Sequence, residues 1–437
     1  MQYNTKDNQN HDVYFNGDIL IVGSGPAGLI ASIYCAEQGF NVSIISEYSA
    51  KPWTHNYCFW KSELDDLQCS KSMQNLFEHC IEKSWSTANV HLSTHSQVEI
   101  DAEYAKFNTQ KLQRHLLARA QDLGVQFFEG TVVNIAHNET DSIATTKKGI
   151  RYRSRIVIAA NGSNSTLLNT SSSPKPAFQI AYGQMLDVSN KNIPWKLNTM
   201  EFMDFRPVPR YRRTFDHPPS FLYVLPMNSQ KVFIEETILA TRKTVPWEML
   251  HERLTLRKEL LGLDHAPVLD EEYCRIQMGG SLPDFGRTLA FGAAGGFTHP
   301  VTGFQILRSL HTGPRLALYL KMHWTDETKE LCAGAWKSIW TNTELHNRKL
   351  YLLGLDMITR FNFRETQSFF EAFFKSSPES RANFLSGMGA RKSVHSNMWQ
   401  TFQHANWSTK ARIVQRSAQH PSSLFSALMG TLTTMEN

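Results

Sequence analysis

The 437 residues are 41% hydrophobic and 19% charged, with a formal net charge of +5, a globular profile too long for one core, so two or three packed subdomains are expected. A mean hydropathy of −0.36, with no apolar run near the ~18 residues that cross a bilayer, excludes a polytopic membrane protein. Six cysteines (Cys35, Cys58, Cys69, Cys80, Cys274, Cys332) without a two-residue spacing give no zinc or dithiol signature, and no secretory apolar segment is present. Reduced thiols, no metal, no nucleic-acid partner and a cytoplasmic location are therefore expected.

In chain order, the first fifteen residues are polar and expected to fray, with residues 1–17 forming a disordered N-terminus. Asp18 to Val22 reads as a buried parallel strand, Leu29 to Gln38 as a helix stopped by Gly39, and Asn41 to Ser46 as the next strand. A helix near Thr109 to Leu123 leads through Gly124 into a short strand, Val125 to Phe128. Arg155 to Ala159 is another apolar strand. From Phe178 to Thr237, β-branched and aromatic residues alternate between turn signals, the pattern of an antiparallel sheet. Phe291-Gly-Ala-Ala294 returns to the strand-then-glycine style, and from Leu307 the chain reads as helical. The order predicts an α/β fold with α+β elements. Residues 18–175 and 285–330 form a discontinuous nucleotide domain, 176–284 a β-rich substrate domain, and 331–437 a helical, basic C-terminal region. From Lys375 to Asn437, seven Lys and Arg face two Glu, a charge that suits anionic lipid headgroups as well as a solvated face.

Gly23-Ser-Gly25-Pro26-Ala27-Gly28 follows a strand and opens a helix, and Glu47 lies nineteen residues beyond its last glycine. Chemistry needs these types: Gly23 for a tight turn, Gly25 so that backbone amides approach a pyrophosphate, Gly28 for close helix–strand packing. The helix N-terminus then holds phosphate and Glu47 accepts from ribose hydroxyls. Proline after the second glycine and the later Ala159-Ala-Asn-Gly162 resemble the FAD proteins that include aromatic hydroxylases, geranylgeranyl reductases and lycopene cyclases. In place of the Gly-Asp-Ala common in that group stands Gly292-Ala-Ala294, without the aspartate that contacts the ribityl chain, which implies modest flavin affinity.

Six segments in order resemble the lycopene cyclases over roughly residues 18 to 400. They are Trp53-Thr-His-Asn-Tyr57-Cys-Phe-Trp60, Gln179-Ile-Ala-Tyr-Gly183, Phe202-Met-Asp-Phe-Arg206, Phe221-Leu-Tyr-Val-Leu-Pro226, Phe233-Ile-Glu-Glu-Thr237, and the glycine-rich Phe291 to Gly303 with its His299-Pro-Val-Thr-Gly303. The resemblance implies a two-dinucleotide-binding-type FAD fold and acid-initiated ring closure on lycopene or a similar linear carotenoid. It implies FAD active in its reduced form, NAD(P)H as reductant, and Gly292 and Gly303 near the flavin. A polyene substrate is reachable from lipid, which implies peripheral association with a membrane. Tyr57-Cys-Phe-Trp60, where many members have glycine after the tyrosine, leaves β, ε and γ products all open.

Cyclisation needs a proton donor and a place for a carbocation. Strand alternation puts Phe233, Glu235 and Thr237 on one face and Ile234 and Glu236 on the other. Both glutamates are candidate catalytic residues, and Glu235 is preferred as the acid because it shares its face with Phe233 and aligns with the family's acidic glutamate. An apolar surround would keep it protonated. Trp53, Tyr57, Trp60 and Phe233 are candidate pocket residues whose π faces suit a cation. His299 is expected either as a structural histidine or as a proton relay, and Asp204 with Arg206 as a cross-strand ion pair. The rival readings are a monooxygenase or polyprenyl reductase of the same fold, and a non-catalytic flavoprotein acting as a membrane assembly or binding factor.

Overall fold

The computed structural model describes residues 13–47, 51–172, 174–208, 218–387 and 391–417. Five parallel strands form the heart of a first sheet, in the spatial order Gln126–Glu129, Val42–Ser46, Val13–Val22, Arg151–Ala159 and Thr288–Ala290. The antiparallel strands Ser142–Thr146 and Val132–His137 extend it alongside the first half of Arg151–Ala159. Ile19, Ile21, Ile44, Ile156 and Ile158 are buried beneath the helices Pro26–Glu37 and Ile306–Met322. Continuous apolar runs of this kind suit a parallel sheet covered on both faces. Because the strands run the same way, the chain leaves three of them at one edge, at Gly23, Ala160 and Phe291.

A second seven-stranded sheet has the order Val268–Met278, Ala177–Asp187, Lys231–Thr241, Phe221–Pro226, Thr199–Asp204, Thr87–Ser93, Ser96–Ile100. One of its faces packs Ile180, Leu222, Ile234 and Ile238 against Leu250 and Leu254 of the helix Trp247–Leu260. The other turns Phe221 and Phe233 toward the helices Asn342–Ile358, Phe363–Phe374 and Pro378–Ser386. A small sheet of Cys58–Trp60, Tyr104–Phe107 and Ile81–Trp85 adjoins it, anchored where Trp85 Nε1 donates to the Pro226 carbonyl at 2.9 Å.

Two boundaries differ from the sequence reading. The first strand starts at Val13, not Asp18, and its early part pairs with Arg151–Ser154 across a register shift. Phe15 is buried there and meets the Phe128 ring at 6.2 Å. So residues 13–17 are ordered by a distant partner strand, while residues 1–12 lie outside the described residues. The second sheet also takes two strands, Thr87–Ser93 and Ser96–Ile100, from the stretch expected to belong to the nucleotide domain, through parallel pairing with Thr199–Asp204. Local alternation carries no information about such long-range pairing. The first helix begins at Pro26, where proline's fixed φ suits the first helical position.

Candidate active site

The glycine segment after the first strand divides its three glycines by function. Gly23 turns with φ of 111°, and a Cβ on it would lie 2.5 Å from the Ala160 carbonyl oxygen. One on Gly28 would lie 2.0 Å from the Gly23 carbonyl oxygen. Protein backbone alone demands these two. Gly25 has an ordinary φ of −68°, and nothing lies within 4 Å of a Cβ built there, so the space beside it is kept for something other than protein. The helix Pro26–Glu37 starts there without a side-chain cap, so its first-turn N–H groups are left without an intrahelical partner. Gly292, at φ of 65°, presses on this helix so closely that a Cβ would sit 2.3 Å from the Ala27 Cβ; Gly303, at φ of 80°, abuts the Gln179 side chain. Glu47 is exposed at the end of its strand. Two glycine segments far apart in sequence thus form one seam, open beside Gly25.

Beyond Gly162, Ala293 and Thr302 the seam opens into a cavity of about 480 Å³ between the second sheet and the C-terminal helices. Tyr57, Tyr104, Phe202, Phe221, Tyr223 and Phe233 line the sheet side, and Phe369, Phe370, Phe373, Phe374 and Phe384 the helical side. Aromatic faces carry negative potential and no competing nucleophile, so such a wall tolerates a cation without quenching it.

Glu235 opens onto this cavity. Its carboxyl is pushed up to about 8, first by burial and then by the nearby charge of Glu272, with the Thr237 hydroxyl pulling the other way. That hydroxyl donates to Glu235 Oε1 at 2.6 Å. Glu236 points through the sheet. It is 1% exposed, accepts from Ser220 Oγ at 2.5 Å, and pairs with Arg257 Nε at 3.2 Å on the helix Trp247–Leu260. Adjacent residues of one strand thereby present to one compartment a carboxyl whose neutral form burial favours, and to the other an ion pair.

Tyr57 and Phe233 line the cavity, whereas Trp53 and Trp60 do not. Trp60 stands behind Tyr104 and Phe202, at ring distances of 4.9 and 5.3 Å, and Trp53 stands edge-on to Tyr57 at 6.2 Å. They brace the wall: Trp60 shares the face of Cys58 in the strand Cys58–Trp60 but is covered by Tyr104 and Phe202, while Phe59 turns to the other side. His299 also lies behind the cavity, beside a second pocket of about 20 Å³ shared with Glu63 and Arg308. Its Nδ1 accepts from the backbone N–H groups of Val301 and Thr302. Burial and the Arg308 charge push the ring down to about 3. With Nδ1 so occupied, the imidazole holds the loop at Val301 and Thr302. Asp204 and Arg206 do pair, at 2.6 Å, but within one chain segment at the end of a strand, not across strands.

Sequence reading passed over Glu272, which lines the cavity and accepts from Asn56 N at 3.0 Å and from the Asn56 side-chain amide. A signal was present: Glu271-Glu272 is a second acidic doublet in an alternating strand. Glu271 faces the other way and accepts from Tyr182 Oη at 2.5 Å. Only the register with Ala177–Asp187 says which member of the doublet reaches the cavity.

Comparison with known proteins gives consistent relatives. The family model described as "Lycopene cyclase protein" matches residues 18–411. A lycopene beta cyclase of Capsicum annuum is 29% identical over 379 residues, 84% of this chain and 74% of that protein. Among solved structures, a geranylgeranyl bacteriochlorophyll reductase-like protein from Thermoplasma acidophilum superposes with a TM-score of 0.61 at 14% identity, covering 88% of this chain and 96% of that one. The halogenase PltM, solved with phloroglucinol and FAD, gives 0.60 at 12% identity, covering 93% and 96%. These two share the fold.

The buried pair on the far face of the sheet supports a stability test. Arg257→Ala leaves Glu236 with the Ser220 hydroxyl but without its paired guanidinium, and is expected to cost about 3–5 kcal/mol, read as a lower urea midpoint. Adding Glu236→Gln removes the stranded charge and should recover part of that loss; a double variant no more stable than Arg257→Ala would show that the ion pair is not the reason.

Proposed function

The chain belongs to the lycopene cyclase family, and from that membership we propose that it closes rings on the ends of lycopene or a related linear carotenoid, giving β-carotene or a similar ring product without net oxidation. The observation that carries the reading is Glu235: a carboxyl held in its protonated form at neutral pH, in an aromatic cavity that begins at the glycine seam. Glu235 gives its proton to a terminal carbon–carbon double bond, a neighbouring double bond closes the ring on the resulting cation, and loss of one ring proton restores neutrality. The product is then an isomer of the substrate. Tyr57, Phe202, Phe233 and the helical phenylalanines shelter the cation from water.

FAD suits the seam, whose open space at Gly25 and uncapped helix N-terminus fit a pyrophosphate. Gly23, Gly25, Pro26, Ala27, Gly28 and Glu47 would hold the adenosine and phosphate parts, with Gly292 and Gly303 along the remainder. In its reduced form, with NAD(P)H as electron donor, FAD supplies negative charge that stabilises a cationic transition state. Ala293 in place of the usual aspartate leaves the ribityl chain one acceptor short.

A membrane surface is the natural workplace, since the substrate dissolves in lipid. No helix among the described residues is long and apolar enough to cross a membrane. Trp407 is 86% exposed and shares the helix Trp407–Ser417 with Lys410 and Arg412, a combination of aromatic anchor and positive charge that suits anionic headgroups. This helix packs on Phe363–Phe374, whose phenylalanines line the cavity. The rest of the basic tail, 418–437, lies outside the described residues.

Glu235→Gln keeps shape and hydrogen bonding but has no acidic proton. Cyclisation by flavin-loaded protein with lycopene in liposomes should fall by about 10² to 10⁴-fold, and Glu236→Gln should be milder on activity per bound flavin. Wild-type turnover should decline as pH rises through about 8, because the proton-bearing form is the active one. Steady NAD(P)H consumption matched to product would instead indicate a redox enzyme. Gly25→Val should fold, having no protein atom to strike, yet lose bound flavin; full flavin content would refute the phosphate site. Cosedimentation should favour anionic over neutral vesicles and weaken with salt, and Lys410→Ala should reduce it about fivefold. Equal binding to neutral vesicles at high salt would remove the electrostatic part.

A further inference from the structure

The middle strand of three holds the arrangement from which a second role follows. Gly183 on Ala177–Asp187 is paired with Glu235 on one side and with Glu272 on the other, so the three residues stand in one row and project to the same face of the sheet. Strand spacing puts the two glutamate backbones about 10 Å apart, and both side chains line the cavity. Gly183 puts no side chain of its own between them, and the Phe233 ring lies over it. Glycine is required at that place: a Cβ on Gly183 would lie 2.4 Å from the Phe233 ring and 3.3 Å from the Glu235 Cβ. The row leaves the two carboxyl groups in each other's field, beside an apolar ring and, among the described residues, with no cation between them.

The two groups are supplied with very different partners. Among the described residues, Glu235 receives one side-chain hydrogen bond, from the Thr237 hydroxyl. Glu272 receives two N–H donors from Asn56, one backbone and one side chain. His55 Nδ1 lies 3.6 Å from it, and its imidazole is held above its ordinary range chiefly by that carboxylate. Donors of this kind stabilise the ionised form of an acceptor. Other titratable groups around Glu235 are Cys58 and Tyr104 from the small sheet, Tyr223 on Phe221–Pro226, and Cys274 beside Glu272; none is a cation. Arg275 borders the same cavity, but its guanidinium lies over the Phe178 ring at 4.0 Å.

We propose that Glu272 is a positioning residue for the acid: its carboxylate, fixed by Asn56 and facing Glu235 across Gly183, keeps Glu235 in the proton-bearing form. This rests on the reading of Glu235 as the proton donor. Two adjacent carboxyl groups in one low-dielectric space divide the roles when one is furnished with donors and the other is not. The ionised one holds the proton on its neighbour, and the cavity keeps a ready acid at neutral pH without a buried cation.

Glu272→Gln removes the like charge, so Glu235 ionises more readily and the alkaline limb of the cyclisation profile moves to lower pH, by about one pH unit or more. At a fixed pH above that limb, activity then drops about tenfold for every pH unit by which the limb has moved, while activity well below it stays near wild type and flavin content is unchanged. Glu272→Asp retains the charge and should leave the limb in place. Infrared spectroscopy gives a readout independent of turnover: the carbonyl band of the protonated carboxyl, identified by its absence in Glu235→Gln, should titrate at lower pH in Glu272→Gln. A limb and a band that both stay at the wild-type pH would overturn the inference. So would a uniform loss of activity at every pH with the band unmoved, which would make Glu272 structural or a direct proton acceptor. Were Glu235→Gln itself fully active, the acid assignment would fail; an inactive Glu235→Gln beside an unmoved band would sink only the role of Glu272.

Discussion

A strand buried on both faces can carry two adjacent glutamates only if each face solves a separate electrostatic problem. In Lys231–Thr241 the side chains of neighbours point to opposite sides of the sheet. Behind the sheet, Glu236 pairs with Arg257 and receives the Ser220 hydroxyl. In front, Glu235 meets aromatic rings, one hydroxyl and another carboxylate, so the neutral form is the one the cavity accepts. The position of the helix Trp247–Leu260, the glycine opposite Glu235 and the aromatic lining all serve this division. Uncompensated burial of two charges would be too costly for the fold.

The second constraint is the parallel sheet. Its strands end together at Gly23, Ala160 and Phe291, and only residues without side chains allow the backbones to come as close as they do there. Gly23, Gly28 and Gly292 are consumed by protein packing, whereas Gly25 keeps an opening. The seam is therefore open on one side and, at Ala293 and Thr302, becomes the floor of the large cavity on the other. The proposed cofactor and substrate spaces meet because two sheets, built by interleaved segments, share this edge.

Aromatic residues divide into a lining and a brace. Tyr104, Phe202 and Phe233 face the cavity, while Trp60 and Trp85 are packed behind them. Phe369, Phe370, Phe373 and Phe374 close the cavity from a single helix and contact one another edge-on, a packing that holds rings rigidly without polar groups. Water has few partners in such a space, which favours the neutral form of Glu235.

By itself the sequence determined the strand–glycine–helix unit, the antiparallel alternation after Phe178, the helical end and the opposite facing of Glu235 and Glu236, because each depends on neighbours within a few residues. The glycine pattern and the Phe233-to-Thr237 motif were legible for the same reason. Only the tertiary structure decided that Thr87–Ser93 joins the second sheet, that Val13–Gly17 is a strand, that Trp53, Trp60 and His299 stand behind the cavity, and that Glu272 faces Glu235 across Gly183. Those facts depend on register between segments distant in the chain. A shift of one residue would send each of the strand side chains among them to the other face, and no local pattern of apolar and polar residues records which register was chosen.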